Sequence, residues 1–227
     1  MGDVAPEVVL AMKRCVVPLV CMSADGETLV SMAGTAFFTG NGDVLTAAHV
    51  YAAVAKLNTP ENPCFPAIYF PLEGWEEIST NLLEARWFEI RACKMDEELD
   101  IAACHFDSSP LLDPYVRDYA GPVEFENAKQ VDGTPVAFTG FPLDIKIPIT
   151  SKGSVAAYMD FDDETRTAKT LLVDKTGWPG ASGSPIYLKN GKVIGMATRT
   201  GTGTGAGLAY GVTANQITRF LEGEGKF

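Results

Sequence analysis

The chain has 227 residues, 46% of them hydrophobic, and a formal net charge of −11. That length suits one large domain or two small ones, and the hydrophobic content is that of a globular protein. The acidic balance argues against a phosphate-binding surface, because nucleic-acid affinity rests on clustered Lys and Arg.

Residues 1–13, which include Pro6, read as an N-terminal arm before the fold begins. From Arg14 the pattern becomes a series of short β-branched or aromatic runs divided by turn residues. Strands are expected over Cys15–Met22, Thr28–Met32, Gly34–Thr39 and Val44–Thr46, then over Ala67–Phe70, Arg86–Cys93 and Leu99–Phe106. The Ala-rich stretch from His49 to Ala55 breaks the alternation and predicts a short helical turn. Together these runs suffice for a six-stranded antiparallel barrel over 14–110. Ser108-Ser109-Pro110, Asp113-Pro114 and Gly121-Pro122 then interrupt the periodicity, which places a linker over 111–122.

Strands resume over Pro135–Gly140, Ile145–Tyr158 with breaks, Thr167–Val173, Ser184–Leu188, Lys192–Ala197 and Gly207–Val212. The end, Thr213 to Leu221, has a polar start and apolar residues at helical spacing, so a C-terminal helix closes the unit over 123–227. The apolar segment Cys15–Met22 is short, contains Pro18 and lacks the flanks of an export signal. No membrane or nucleic-acid partner is expected, and the chain reads as intracellular, cytoplasmic or nuclear. The five cysteines, Cys15, Cys21, Cys64, Cys93 and Cys104, lie mostly inside apolar runs and read as buried free thiols, which favours a reducing compartment. Their spacing gives no zinc pattern, and neither metal nor organic cofactor is expected.

One stretch stands apart. Gly180-Ala181-Ser182-Gly183-Ser184-Pro185 has the form of a serine nucleophile turn, with glycines where the backbone must bend sharply and approach a substrate carbonyl. A serine needs a base, and the chain holds only two histidines, His49 and His105. His49 follows a strand and a turn in Leu45-Thr46-Ala47-Ala48-His49-Val50. Asp100 heads the apolar run Ile101-Ala102-Ala103, whereas Asp96, Glu97 and Glu98 beside it do not. His105, at the end of a strand, reads as structural. The order His49, Asp100, Ser182 matches one of the known serine-hydrolase orders and differs from two others.

The segments "GTAFFTGNGDVLTAAHV", "LDIAA" and "GASGSP" together resemble the trypsin/chymotrypsin-like serine peptidase superfamily. The second half, through "GTPVAFTGFPL", "SKGSVAAY", "GASGSPIYLKNGKVIGMAT" and "GLAYGVTANQITRFL", is most similar to the HtrA/DegP-like branch without a PDZ module, and a viral-type relative fits as well. The likeness runs from about Val16 to Leu221. It implies an all-β fold of two six-stranded antiparallel barrels with a C-terminal helix, His49 and Asp100 on the first and Ser182 on the second, and a cleft between them.

The same resemblance implies an endopeptidase acting on a polypeptide substrate through an acyl-enzyme. It assigns the oxyanion hole to the backbone N–H groups of Gly180 and Ser182. It assigns the primary pocket to Thr176, Gly177, Met196, Ala197, Thr198, Leu208, Ala209 and Tyr210; none is charged, which implies a neutral or hydrophobic side chain before the scissile bond. Two departures are visible. Ser184 stands where glycine is usual, and Ala181 where Asp or Asn is usual, so activation by N-terminal trimming is not expected. The rival expectations are a catalytically silent binding protein on the same fold and a viral polyprotein-processing protease. The oligomeric state is not legible.

Overall fold

The computed structural model describes residues 3–40, 43–71, 85–106, 121–163, 166–201 and 207–223. The first six strands are β1 (Val16–Ser23), β2 (Leu29–Gly40), β3 (Asp43–Thr46), β4 (Cys64–Pro71), β5 (Ala85–Asp96) and β6 (Ile101–Phe106). They close an antiparallel barrel in the order β1-β2-β3-β6-β5-β4. The second six are β7 (Pro135–Gly140), β8 (Ile149–Asp163), β9 (Arg166–Asp174), β10 (Pro185–Leu188), β11 (Val193–Thr200) and β12 (Leu208–Thr213). They close a second barrel in the order β10-β11-β12-β9-β8-β7. Read from its first strand, each barrel has the same order, so the twofold architecture that no residue-level repeat announces is present in the topology. Closure leaves neither sheet an unpaired edge.

Side chains alternate across β1 as a strand requires. Leu19 and Cys21 join the main core of the first barrel, while Val20 and Met22 pack with Ala67 in a second cluster. The runs expected as two strands over Thr28–Met32 and Gly34–Thr39 form the single β2. Leu19 pairs with Gly34 and Val20 with Met32, so Ala33 is an extra residue absorbed as a bulge. The turn after β3 is a ten-residue helix, α2 (Ala48–Leu57), longer than its sequence pattern indicated; Val50 and Val54 bury one turn apart. The linker expected over 111–122 lies outside the described residues except for Gly121 and Pro122.

The two ends of the chain pack across the molecule. The N-terminal arm contains a helix, α1 (Pro6–Lys13), and Val4 and Met12 bury against Ala137, Tyr187 and Val193 of the second half. Lys152 Nζ reinforces this contact at 2.8 Å from Asp3. The C-terminal helix α3 (Ala214–Leu221) is started by a capping box, in which Thr213 and Gln216 satisfy each other's backbone N–H groups. Its Ile217 and Phe220 sit in the first-barrel core with Phe141, Met196 and Val212. Lys94 Nζ donates to the Phe220 carbonyl at 3.0 Å, a cation at a helix C-terminus. An apolar seam thus holds the barrels together.

The cysteine expectation is overturned. Cys21–Cys64 and Cys93–Cys104 are disulfides, and Cys15 alone is a free thiol. Strand pairing brings these residues together: β1 and β4 place Ser23 opposite Cys64, and β5 and β6 place Cys93 directly opposite Cys104. The step from free thiols to a reducing compartment therefore loses its premise. Burial pushes the Cys15 thiol up to about 11, so it stays protonated and poorly nucleophilic at neutral pH. The Cys21–Cys64 bridge spans 43 residues. By loop-closure entropy, Cys64→Ala is expected to cost about 4 kcal/mol, read as a lower urea midpoint for the variant.

Candidate active site

His49 is the second residue of α2, and its position creates a need that Asp100 meets twice. The first N–H groups of a helix lack intrahelical acceptors, and the N-cap Ala47 offers no side-chain oxygen. Asp100 Oδ1 accepts the His49 backbone N–H at 2.9 Å. Its other oxygen, Oδ2, lies 2.8 Å from His49 Nδ1. A carboxylate only accepts, so Nδ1 carries a proton, and in the neutral ring the lone pair is then on Nε2. Asp100 reaches this position from a left-handed backbone conformation, φ 59°, at the head of β6. The turn before it is shaped by Asp96, whose Oδ1 accepts the Leu99 N–H at 2.9 Å. Asp96 is thus used in the turn, away from the imidazole. The other histidine, His105, pairs through Nδ1 with Asp43 Oδ1 at 2.8 Å across the β3–β6 ladder.

Ser182 stands on a tight turn between β9 and β10. The Ala181 N–H donates to the Trp178 carbonyl at 2.9 Å and the Ser184 N–H to that of Ala181 at 3.0 Å. Glycine is required at two places. Gly180 (φ 87°) carries no Cβ where one would lie 2.6 Å from the Phe141 oxygen, and at Gly183 (φ 88°) one would lie 1.8 Å from the Thr35 oxygen.

That second contact crosses the seam. The Thr35 N–H of β2 donates to the Ser182 carbonyl at 2.9 Å, and Thr46 Oγ1 donates to the Thr35 carbonyl at 2.7 Å. A Cβ at Gly34 would meet Val50 at 2.8 Å on one side and the Ser182 oxygen at 3.0 Å on the other, so the serine turn and the residue beside His49 converge there.

Hydrogen bonds join His49 to Asp100 and leave Ser182 apart from both. The serine Oγ donates instead to the Thr198 carbonyl at 3.0 Å. Among the described residues no acceptor takes the N–H of Gly180 or of Ser182. The carbonyls around Gly180 are held: Pro179 accepts from the Leu143 N–H at 2.7 Å, and Gly180 accepts from Thr35 Oγ1 at 3.0 Å.

The residues assigned to the primary pocket divide. Thr176 is exposed, and Thr198 is buried with its Oγ1 3.5 Å from the Tyr210 carbonyl. Leu208 and Tyr210 are half-buried, and the space beside buried Gly177 is bounded by Thr200. Ala197 and Ala209 belong to the second-barrel core, and Met196 is wholly buried in the seam. Arg199, which the sequence reading did not consider, stacks on the Tyr210 ring with its guanidinium carbon 5.5 Å from the centroid. Thr35 was also missed; its only signal was its place between Gly34 and Ala36 in the first quoted segment.

The departure at Ser184 has a physical consequence. Its hydroxyl is fully buried and, among the described residues, has no hydrogen-bond partner. Such a group costs about 1–3 kcal/mol, so Ser184→Ala is expected to stabilise the fold by about 1 kcal/mol, measured as a higher urea midpoint.

A trypsin-like peptidase domain model matches residues 34–196. No curated protein matches the chain. Among solved structures, the active form of the Rv3671c protease from M. tuberculosis superposes with a TM-score of 0.69 at 18% identity, covering 100% of this chain and 89% of that one. Deg5 gives 0.69 at 15% identity, covering 94% and 90%. The HtrA-type protease AlgW with decapeptide gives 0.66 at 15% identity, covering 95% and 66%. At these identities the likeness is one of fold, that of two chymotrypsin-like barrels.

Proposed function

We propose, starting from a chain that belongs to the trypsin-like peptidase domain family, that it is a serine endopeptidase whose catalytic triad is His49, Asp100 and Ser182. The observation that carries the reading is the double engagement of His49 by Asp100, at 2.9 Å to the backbone and 2.8 Å to the ring. It fixes the ring's orientation and tautomer together, leaving Nε2 as the base.

In the reaction the Ser182 side chain rotates from the Thr198 carbonyl toward His49 Nε2. As Oγ attacks the substrate's carbonyl carbon, its proton passes to Nε2, and Asp100 stabilises the imidazolium. The carbonyl oxygen becomes an oxyanion that accepts from the N–H groups of Gly180 and Ser182, neither of which has an acceptor among the described residues. Collapse of the tetrahedral intermediate breaks the C–N bond, and the imidazolium gives its proton to the leaving amine. Water then repeats the sequence on the acyl-enzyme and restores the serine. The assigned pocket residues that are exposed or half-buried, Thr176, Leu208 and Tyr210, are uncharged, which favours a polypeptide with a neutral or apolar side chain before the scissile bond. Peptides with Leu or Phe there are expected to show kcat/KM at least ~10-fold above those with Lys or Asp.

A fluorophosphonate probe tests the assignment. The folded protein should gain one adduct, mapped by peptide mass to Ser182. An adduct elsewhere, or none, would overturn the proposal, and an unreactive protein would favour the silent binding protein.

A further inference from the structure

The seam contains a residue whose N–H and hydroxyl both donate to the serine turn, although it belongs to the opposite barrel. Thr35 is fully buried in β2. Its N–H donates to the Ser182 carbonyl at 2.9 Å, and its carbonyl accepts from Thr46 Oγ1 at 2.7 Å. Its Oγ1 accepts from the Phe141 N–H at 2.9 Å and donates to the Gly180 carbonyl at 3.0 Å. The direction of the last two bonds is fixed by chemistry, since an amide N–H only donates and a carbonyl only accepts.

We propose that Thr35 is a positioning residue for the oxyanion site: its hydroxyl anchors the peptide plane after Gly180 directly and, through the Phe141 N–H, the turn whose Leu143 N–H holds the plane before it, and so aims the Gly180 N–H at the reacting carbonyl. Gly180 sits at φ 87°, and as a glycine it has the widest conformational freedom of the turn. The Gly180 N–H lies in the peptide plane before the residue, and the plane after it sets how that N–H stands relative to the N–H of Ser182, so aiming the pair takes a hold on both planes. The plane before it is held by the Leu143 N–H on the Pro179 carbonyl. Because a trans peptide directs C=O and N–H to opposite sides, that bond turns the Gly180 N–H away from Leu143. The plane after it is held at its carbonyl by the Thr35 hydroxyl and at its N–H by the Ala181 bond to the Trp178 carbonyl. The same oxygen also takes the Phe141 N–H, at the start of the 3₁₀ turn Pro142–Asp144 that contains Leu143. One hydroxyl therefore couples both clamps. A valine would have threonine's shape and neither bond.

This inference rests on the proposed peptidase reading. Thr35→Val is expected to lower kcat about 10- to 100-fold with KM within ~2-fold, because oxyanion donors act on the transition state and little on bound substrate. A peptide boronic acid, which mimics the tetrahedral intermediate, should bind more weakly by the same factor. Thr35→Ser should restore kcat. Ser184→Ala, which removes the neighbouring hydroxyl that has no partner, should leave kcat unchanged. Thermal melts establish which variants are folded; Thr35→Ala, with less bulk beside the orphaned groups, takes the place of Thr35→Val if that chain does not fold.

A folded hydroxyl-free variant with unchanged kcat, a loss confined to KM, or a serine variant as impaired as valine would overturn the positioning role. Wild-type protein that neither cleaves peptides nor labels at Ser182 would instead overturn the peptidase reading itself.

Discussion

Ser182→Ala is expected to lower kcat/KM on a cleavable peptide by about 10⁶-fold, the scale seen when a triad loses its nucleophile. The change removes little else. Among the described residues the Ser182 side chain makes a single hydrogen bond, to the Thr198 carbonyl, and the residue is half-buried. The clamps on Ser182 and Gly183 themselves are backbone groups, the Ser182 carbonyl on the Thr35 N–H and the Gly183 N–H on the Ala197 carbonyl at 2.7 Å, and both survive. Melting temperature and peptide affinity should therefore stay near those of the wild type while turnover disappears. A variant that still cleaves at a tenth of the wild-type rate would remove Ser182 from the chemistry.

Asp100→Asn is expected to lower kcat/KM about 10⁴-fold at neutral pH. Asparagine keeps one acceptor oxygen where aspartate has two. The His49 backbone N–H claims that oxygen, because a helix's first N–H has no other partner. The amide NH2 then faces Nδ1, which must become an acceptor, and the ring proton moves to Nε2, the nitrogen that has to take the serine proton. Asp96→Asn provides the contrast. Its oxygen accepts the Leu99 N–H, which an asparagine oxygen does equally well, so the rate should stay within about twofold. Equal losses in both variants would point to damage to the turn; an unchanged Asp100→Asn would eliminate Asp100 from the triad.

The extent to which these features were legible follows from how local their causes are. Strand alternation and turn residues announced an antiparallel all-β chain, and the family resemblance divided its strands into two barrels. The scarcity of histidine, with an acid heading an apolar run, picked out His49 and Asp100, and the structure brings those two together. Ala33 went unnoticed because a bulge is defined by the register of two strands, not by one. The disulfides were misread for the same reason: Cys93 and Cys104 face each other only once β5 and β6 are paired. The N-terminal helix carries no mark that it docks on the far barrel. Thr35 and Gly180 are 145 positions apart, and a hydrogen bond over that separation exists only through the topology. The serine motif announced Ser182, whereas the orientation of its hydroxyl toward Thr198 was not legible.

The most direct measurement is the intact mass of the protein quenched in acid during turnover of an activated acyl ester. The account predicts a transient species heavier by one acyl group, mapped to Ser182, that is absent in Ser182→Ala and decays at the rate of product release. Turnover without such a species, or an acyl group on another residue, would contradict it.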